Sequence, residues 1–143
     1  MRDPVRQLAH SARYRLSHEY ETVWLTREGA RPTEIGDFYG DPHTAIIDGA
    51  ERWCAVGGNG LIVYFFEEPF EAYQPGRPSA QYFELGRKER DTWWVERIQQ
   101  TGPWEIQVLL ETGLTQRITF KRTSEGCAFV VHEGGRDAGL PRP

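Results

Sequence analysis

The chain has 143 residues, of which 38% are hydrophobic, 13% aromatic and 27% charged. That mixture excludes collagen, coiled coil and wholesale disorder, and the length suits one domain with its own core. Seventeen Lys and Arg stand against 21 Asp and Glu, a formal net charge of −4. That balance speaks against a nucleic-acid binder and is compatible with a basic protein partner.

In chain order, residues 3–13 read as a short helix. Asp3 is a good N-cap, Pro4 suits the first helical position, and Val5, Leu8, Ala9 and Ala12 fall on one face. The opening residues, Met1 to Arg6, contain no apolar stretch of the secretory-signal kind. The longest apolar run, Leu61 to Phe66, is far shorter than the roughly 20 residues of a membrane helix. The expected location is the cytoplasm, without a membrane partner.

From residue 13 onward, turn pairs recur at Glu28-Gly29, Asp48-Gly49, Asn59-Gly60, Thr101-Gly102, Thr112-Gly113 and Glu125-Gly126. Strands of that spacing, rich in aromatic and β-branched residues, indicate antiparallel hairpins. The expected fold is mostly β, with α+β as the alternative: an antiparallel sheet or sandwich of hairpins with a short N-terminal helix. Residues 1–132 form the expected single domain. Residues 133–143, rich in Gly and Pro, form an expected flexible tail.

A two-residue turn at Asn59-Gly60 pairs Val56 with Val63, Cys54 with Phe65 and Trp53 with Phe66. Both faces of that hairpin are then apolar, so it should be central and covered on both sides. Residues 67–91 read as a connection holding one short strand, Gln81 to Leu85. Residues 92–100 suit a strand better than a short helix capped by Asp91.

Three strands follow, near 104–111, 115–122 and 127–132. A three-residue loop at Thr112-Gly113-Leu114 pairs Ile106 with Phe120, Val108 with Ile118 and Glu105 with Lys121. A loop at 123–126 then sets Phe129 opposite Phe120 and Val131 opposite Ile118.

Candidate chemistry is sparse. Asp41 and His43 could form an acid–base dyad, but Gly40-Asp41-Pro42 is first of all a turn signal. His10, His18, His43 and His132 show no metal-ligand spacing. No metal, cofactor or catalytic residue is expected. Gly57-Gly58-Asn59-Gly60 lacks the Lys-Ser/Thr ending of a phosphate loop and reads as a hairpin turn. Cys54 and Cys127 sit in apolar runs and read as free thiols, with a single disulfide as the alternative.

If 92–100 is a strand with Trp94 and Ile98 inward, Glu96 goes in with them, where its pKa would rise. His43, Trp93, Trp94 and Glu96 therefore make a candidate ligand pocket. Glu67, Glu68, Phe70, Glu71 and Tyr73 mix aromatic anchors with a charged rim, as a protein-binding patch does. Gly86 to Asp91 reads as an exposed loop of mixed charge.

The run from Glu34 through Tyr39-Gly40-Asp41-Pro42 to Ile47 precedes a strand starting Trp53-Cys54-Ala55-Val56-Gly57-Gly58 and a second apolar strand. This pattern, over about residues 34–66, resembles small bacterial immunity proteins of polymorphic toxin systems. The resemblance implies binding without catalysis: a β scaffold covering the active site of a cognate toxin protein. Composition points to Glu67, Glu68 and Glu71, with Phe70 and Tyr73, as the surface that meets its basic groups. The alternative is a small-ligand-binding β domain or an enzyme, with a pocket lined by Trp93, Trp94, Glu96 and His43.

Overall fold

Among the described residues, twelve strands form three sheets of four, each an antiparallel meander in chain order. The computed structural model describes residues 5–136. The first sheet comprises β1 (Arg6–His10), β2 (Tyr14–Glu19), β3 (Thr22–Arg27) and β4 (Thr33–Asp37). The second comprises β5 (Thr44–Ile47), β6 (Trp53–Gly58), β7 (Gly60–Phe65) and β8 (Tyr82–Leu85). The third comprises β9 (Val95–Gly102), β10 (Glu105–Leu110), β11 (Leu114–Thr123) and β12 (Gly126–Arg136). The described helical content is one 3-10 turn, Glu89–Asp91, and no described helix is long and apolar enough to cross a membrane.

The second sheet is the middle layer, because every residue of β6 and β7 is buried. Strand alternation divides them between two cores. Trp53, Ala55, Leu61, Val63 and Phe65 pack with Val95, Ile98, Ile106, Val108, Ile118 and Phe120 of the third sheet. Cys54, Val56, Ile62 and Tyr64 pack with Leu16, Val23, Leu25 and Ile35 of the first. The expected two-sided cover is thus supplied by two sheets. Each fully buried Leu, Ile or Phe contributes roughly 1.5–3 kcal/mol relative to an exposed one.

The expected N-terminal helix is not seen. Residues 6–10 are β1, which pairs with β2 through Arg6–His18, Gln7–Ser17 and Ala9–Leu16. A helix of that length is marginal in water, whereas the edge of β2 offers partners for the backbone N–H and C=O groups. Asp3 and Pro4, the expected cap, lie outside the described residues.

The hairpin registers differ in how well the sequence pattern anticipates them. β11 and β12 pair as expected, Phe120 with Phe129 and Ile118 with Val131, and Arg117 faces His132. β10 and β11 keep the expected faces and a three-residue connection, 111–113, but are offset by two residues: Ile106 faces Ile118 and Val108 faces Gln116. Arg117, and not Lys121, is the ion-pair partner of Glu105, at 3.5 Å. β6 and β7 are offset by one: Cys54 faces Tyr64, Val56 faces Ile62 and Gly58 faces Gly60, so the chain reverses around Asn59 alone. β12 continues to Arg136, with Gly135 opposite Thr115. The remainder of the expected tail, residues 137–143, lies outside the described residues.

Candidate functional site

The turn from Asp37 to His43 leaves the end of β4 and is pinned at both ends. The Phe38 N–H donates to the Glu21 carbonyl at 2.9 Å, and the His43 N–H donates to the Gly57 carbonyl at 2.8 Å. The Gly40 N–H donates to the Glu21 carboxylate at 2.8 Å. Phe38 points into the core beneath the first sheet, at 3% exposure, so its neighbour Tyr39 points outward, at 84%. Asp41 and His43 are both exposed, and among the described residues no hydrogen bond joins them into a dyad.

A second pair of residues alternates in the same way beside it. The Trp93 N–H donates to the Gly86 carbonyl at 2.9 Å, and the Trp93 carbonyl accepts from Gly60 at 2.7 Å. The Trp94 carbonyl accepts from Glu111 at 2.9 Å. Trp93 turns inward against the core under the third sheet, while Trp94 turns outward at 49% exposure. Tyr39 and Trp94 line one open depression of about 490 Å³, together with Asn59, Arg87, Glu89 and Thr92.

Arg87 forms the floor. Its Nε pairs with Glu84 at 3.0 Å, and Nη1 donates to the Asn59 carbonyl at 2.9 Å. Its Nη2 donates to the Asp37 carbonyl and to the Tyr73 hydroxyl. The guanidinium also lies 4.8 Å from the centroid of the Phe38 ring. Arg87 thereby joins β4, the β6–β7 turn, β8 and the loop at Tyr73. Tyr73 donates to Glu84 at 2.8 Å. Burial, then that hydrogen bond and the carboxylate charge, push the Tyr73 hydroxyl well above its ordinary range.

Two glycines make this crossing geometry. Gly60 has φ +100°, and a Cβ there would lie 2.2 Å from the Arg87 Cδ. Gly86 has φ +68°, and a Cβ there would lie 2.3 Å from the Trp93 Cγ. Both positions need the left-handed freedom of glycine as well as its missing side chain.

The sequence-predicted pocket residues are not brought together. Trp94 lines the depression just described, and Trp93 lines a second one, of about 550 Å³, on the other side of Arg87 with Tyr73, Glu84, Lys88 and Asp91. His43 and Glu96 line neither. Glu96 is a correction: it does not point inward. Leu110 faces Val95 while Leu109 faces Arg97, so Glu96 is the extra residue of a β-bulge. The bulge sends Glu96 and Arg97 to solvent and lets both Val95 and Ile98 reach the core.

The sequence-predicted acidic patch, residues 67–73, is a strap across the sheets. Glu67 pairs with Arg122 of β11, and Glu68 pairs with Arg27 of β3 at 2.9 Å. Phe70 stacks beside Tyr14 and Phe66 and lies 3.8 Å beneath the Arg27 guanidinium. The Tyr64 hydroxyl donates to the Glu71 carbonyl at 2.6 Å, leaving the Glu71 side chain exposed. Tyr73 is buried at 5% exposure, and its N–H donates to the Glu34 carbonyl at 2.8 Å.

Both cysteines are free. Cys54 packs on the first-sheet side of the middle layer and Cys127 on the third-sheet side, which excludes a bridge between them. Among the described residues, no group of three or more His, Cys, Asp or Glu side chains could hold a metal ion.

Sequence reasoning passed over Tyr39, beside a turn signal, and, in a run of mixed charge, Glu89 and above all Arg87. The signal that could have found Arg87 is its place directly after a glycine and near the pair Trp93-Trp94. Comparison with known protein families, curated proteins and solved structures finds no match for this chain.

Proposed function

We propose that this protein is a binding protein of the immunity kind, neutralising a cognate bacterial toxin domain by covering its active site. The observation that carries a protein-binding reading is the pair Tyr39 and Trp94, two large aromatics left exposed around one depression on a braced floor. Tyr, Trp and Arg are the residues that dominate protein interfaces, and a rigid floor lowers the entropic cost of docking. The toxin itself is what the resemblance implies for residues 34–66. Within that segment, the structure-bearing turn is the one that presents Tyr39.

The Tyr39–Trp94 face is a better surface for a partner than the acidic strap. Glu67 and Glu68 are already engaged with Arg122 and Arg27, so a partner would have to displace internal ion pairs. The test is capture from the native producer's lysate by the wild-type chain and by the Tyr39→Ala/Trp94→Ala variant. The reading expects one polypeptide held only by the wild type, toxic when expressed alone and tolerated beside the wild-type chain. A polypeptide held equally by both, or one that is harmless, sinks it.

A second reading has its own observation. Tyr73, Glu84, Lys88 and Asp91 converge with Trp93 on the neighbouring depression of about 550 Å³. Converging polar groups against an aromatic wall suit a small polar ligand. Mass spectrometry of small molecules released from the purified chain would reveal one, and Lys88→Ala should abolish its retention.

A further inference from the structure

Resting on the protein-binding reading, we propose that the Tyr39–Trp94 depression is a cage for one cationic side chain, an Arg or a Lys, projecting from the partner. The walls are two exposed aromatic rings, whose faces carry the negative side of the ring quadrupole. The one cation lining the depression, Arg87, has most of its donors engaged inside the protein. Four of its five N–H groups meet acceptors: Glu84, the Asn59 and Asp37 carbonyls, and the Tyr73 hydroxyl.

Glu84 also offsets the Arg87 charge at 3.0 Å. The carboxylate left lining the depression is Glu89. Aromatic faces plus one carboxylate select a cation over a phosphate or a neutral apolar group. The formal net charge of −4 attracts a basic partner to the molecule at long range.

The backbone that carries Glu89 is held in a defined turn. Glu89 opens the 3-10 turn Glu89–Asp91, which is closed by the Thr92 hydroxyl donating to the Lys88 carbonyl at 2.7 Å. The Asp91 N–H donates to the same carbonyl at 3.0 Å. The turn is thus bound at its C-terminal end, and the Trp93–Trp94 pair that follows is bolted to Gly60, Gly86 and Glu111. Ring and carboxylate therefore stand on one connected piece of backbone.

The test titrates the full chain with Nα-acetyl-arginine amide and, separately, with its neutral isostere Nα-acetyl-citrulline amide. The readout is the Trp94 indole N–H resonance, assigned through Trp94→Phe. The arginine probe should shift that resonance saturably, and the citrulline probe should need at least a tenfold higher concentration, the scale of one good cation–π contact. Glu89→Gln should weaken the arginine probe several-fold with the melting temperature unchanged. Equal response to both probes, or no saturable shift from arginine, overturns the cage.

Failure of the cage and failure of the binding reading remain distinguishable. A captured partner that is lost in Tyr39→Ala/Trp94→Ala, yet tolerates substitution of every surface Arg and Lys, overturns the cage and leaves the binding reading standing. A partner that loses at least tenfold in affinity with one such Arg or Lys, and no more when paired with Glu89→Gln, supports it.

Discussion

Arg87 lies directly over Gly60, so close that a Cβ on the glycine would fall 2.2 Å from the Arg87 Cδ. The arginine reaches Asp37, Asn59, Glu84 and Tyr73 from that crossing, and no other residue at position 60 leaves it room. Gly60→Ala should therefore lose about 2–4 kcal/mol, combining the positive φ of +100° with the steric overlap. Chemical denaturation checks it. Adding Arg87→Ala to Gly60→Ala should cost less than Arg87→Ala does alone, because the contacts are already displaced.

Asp48 makes stability depend on acid. Burial pushes its carboxyl up, but hydrogen bonds from the Arg52 and Gln100 side chains, and from the Arg52 and Ala50 N–H groups, outweigh burial and hold it at about 2. Folded Asp48 thus titrates below its unfolded value, and the contribution is present above about pH 4 and lost as pH falls toward 2. Its size is about 2 kcal/mol. The Glu51 carboxyl, held at about 2 by Ser11 and Arg13, titrates in the same window. Urea unfolding at pH 7, 4 and 2.5 should show the loss, and Asp48→Asn should reduce it, leaving the Glu51 part, while lowering stability at pH 7.

The two thiols should react very differently. Cys54 is fully buried, and burial pushes its thiol far above the ordinary range. Cys127 is half-buried, its thiol raised by burial to a lesser degree and donating toward the Ser79 and Ala80 carbonyls. A thiol reagent at pH 8 should modify Cys127 slowly and Cys54 only on unfolding. Mass spectrometry of the native protein should find a single adduct, and Cys127→Ser should remove it.

The acidic strap predicts a contrast between neighbouring glutamates. Glu67→Lys sets a like charge against Arg122 and should cost about 1 kcal/mol. Glu71→Lys alters an exposed side chain whose backbone alone holds the strap, and should stay within about 0.5 kcal/mol. Thermal melts of the two variants decide it. An equal loss in both would mean that the Glu71 carboxylate also braces the strap.

The β architecture was legible where one face of a strand is apolar and the other is not. β11 and β12 fall into register because a slip of one would turn Ile118, Phe120, Phe129 and Val131 out of alignment. The β6–β7 hairpin is apolar on both faces, so a slip of one carries no penalty visible in the pattern. There Gly60, at φ +100°, shifts the reversal onto Asn59. The bulge at Glu96 was invisible for a related reason: alternation alone forces one of two charges inward, and an extra residue removes that constraint.

The site was legible only in fragments. The pattern marks Trp94 as a pocket residue, though with Trp93, Glu96 and His43 rather than with Tyr39, which reads only as part of a turn. Arg87 finds its acceptors on four separate segments, at Asp37, Asn59, Tyr73 and Glu84, and no local spacing signals such a gathering.

The middle layer has no side that faces water, and this makes the molecule indivisible. Loss of β1–β4 would bare Val56, Ile62 and Tyr64, and loss of β9–β12 would bare Trp53, Val63 and Phe65, in either case an apolar wall that adheres to any surface like itself. Neither outer sheet can be shed, exchanged or inherited by itself. Heating should melt all three together in one calorimetric transition, and variation over evolutionary time is left to the loops and the outward faces of the flanking sheets.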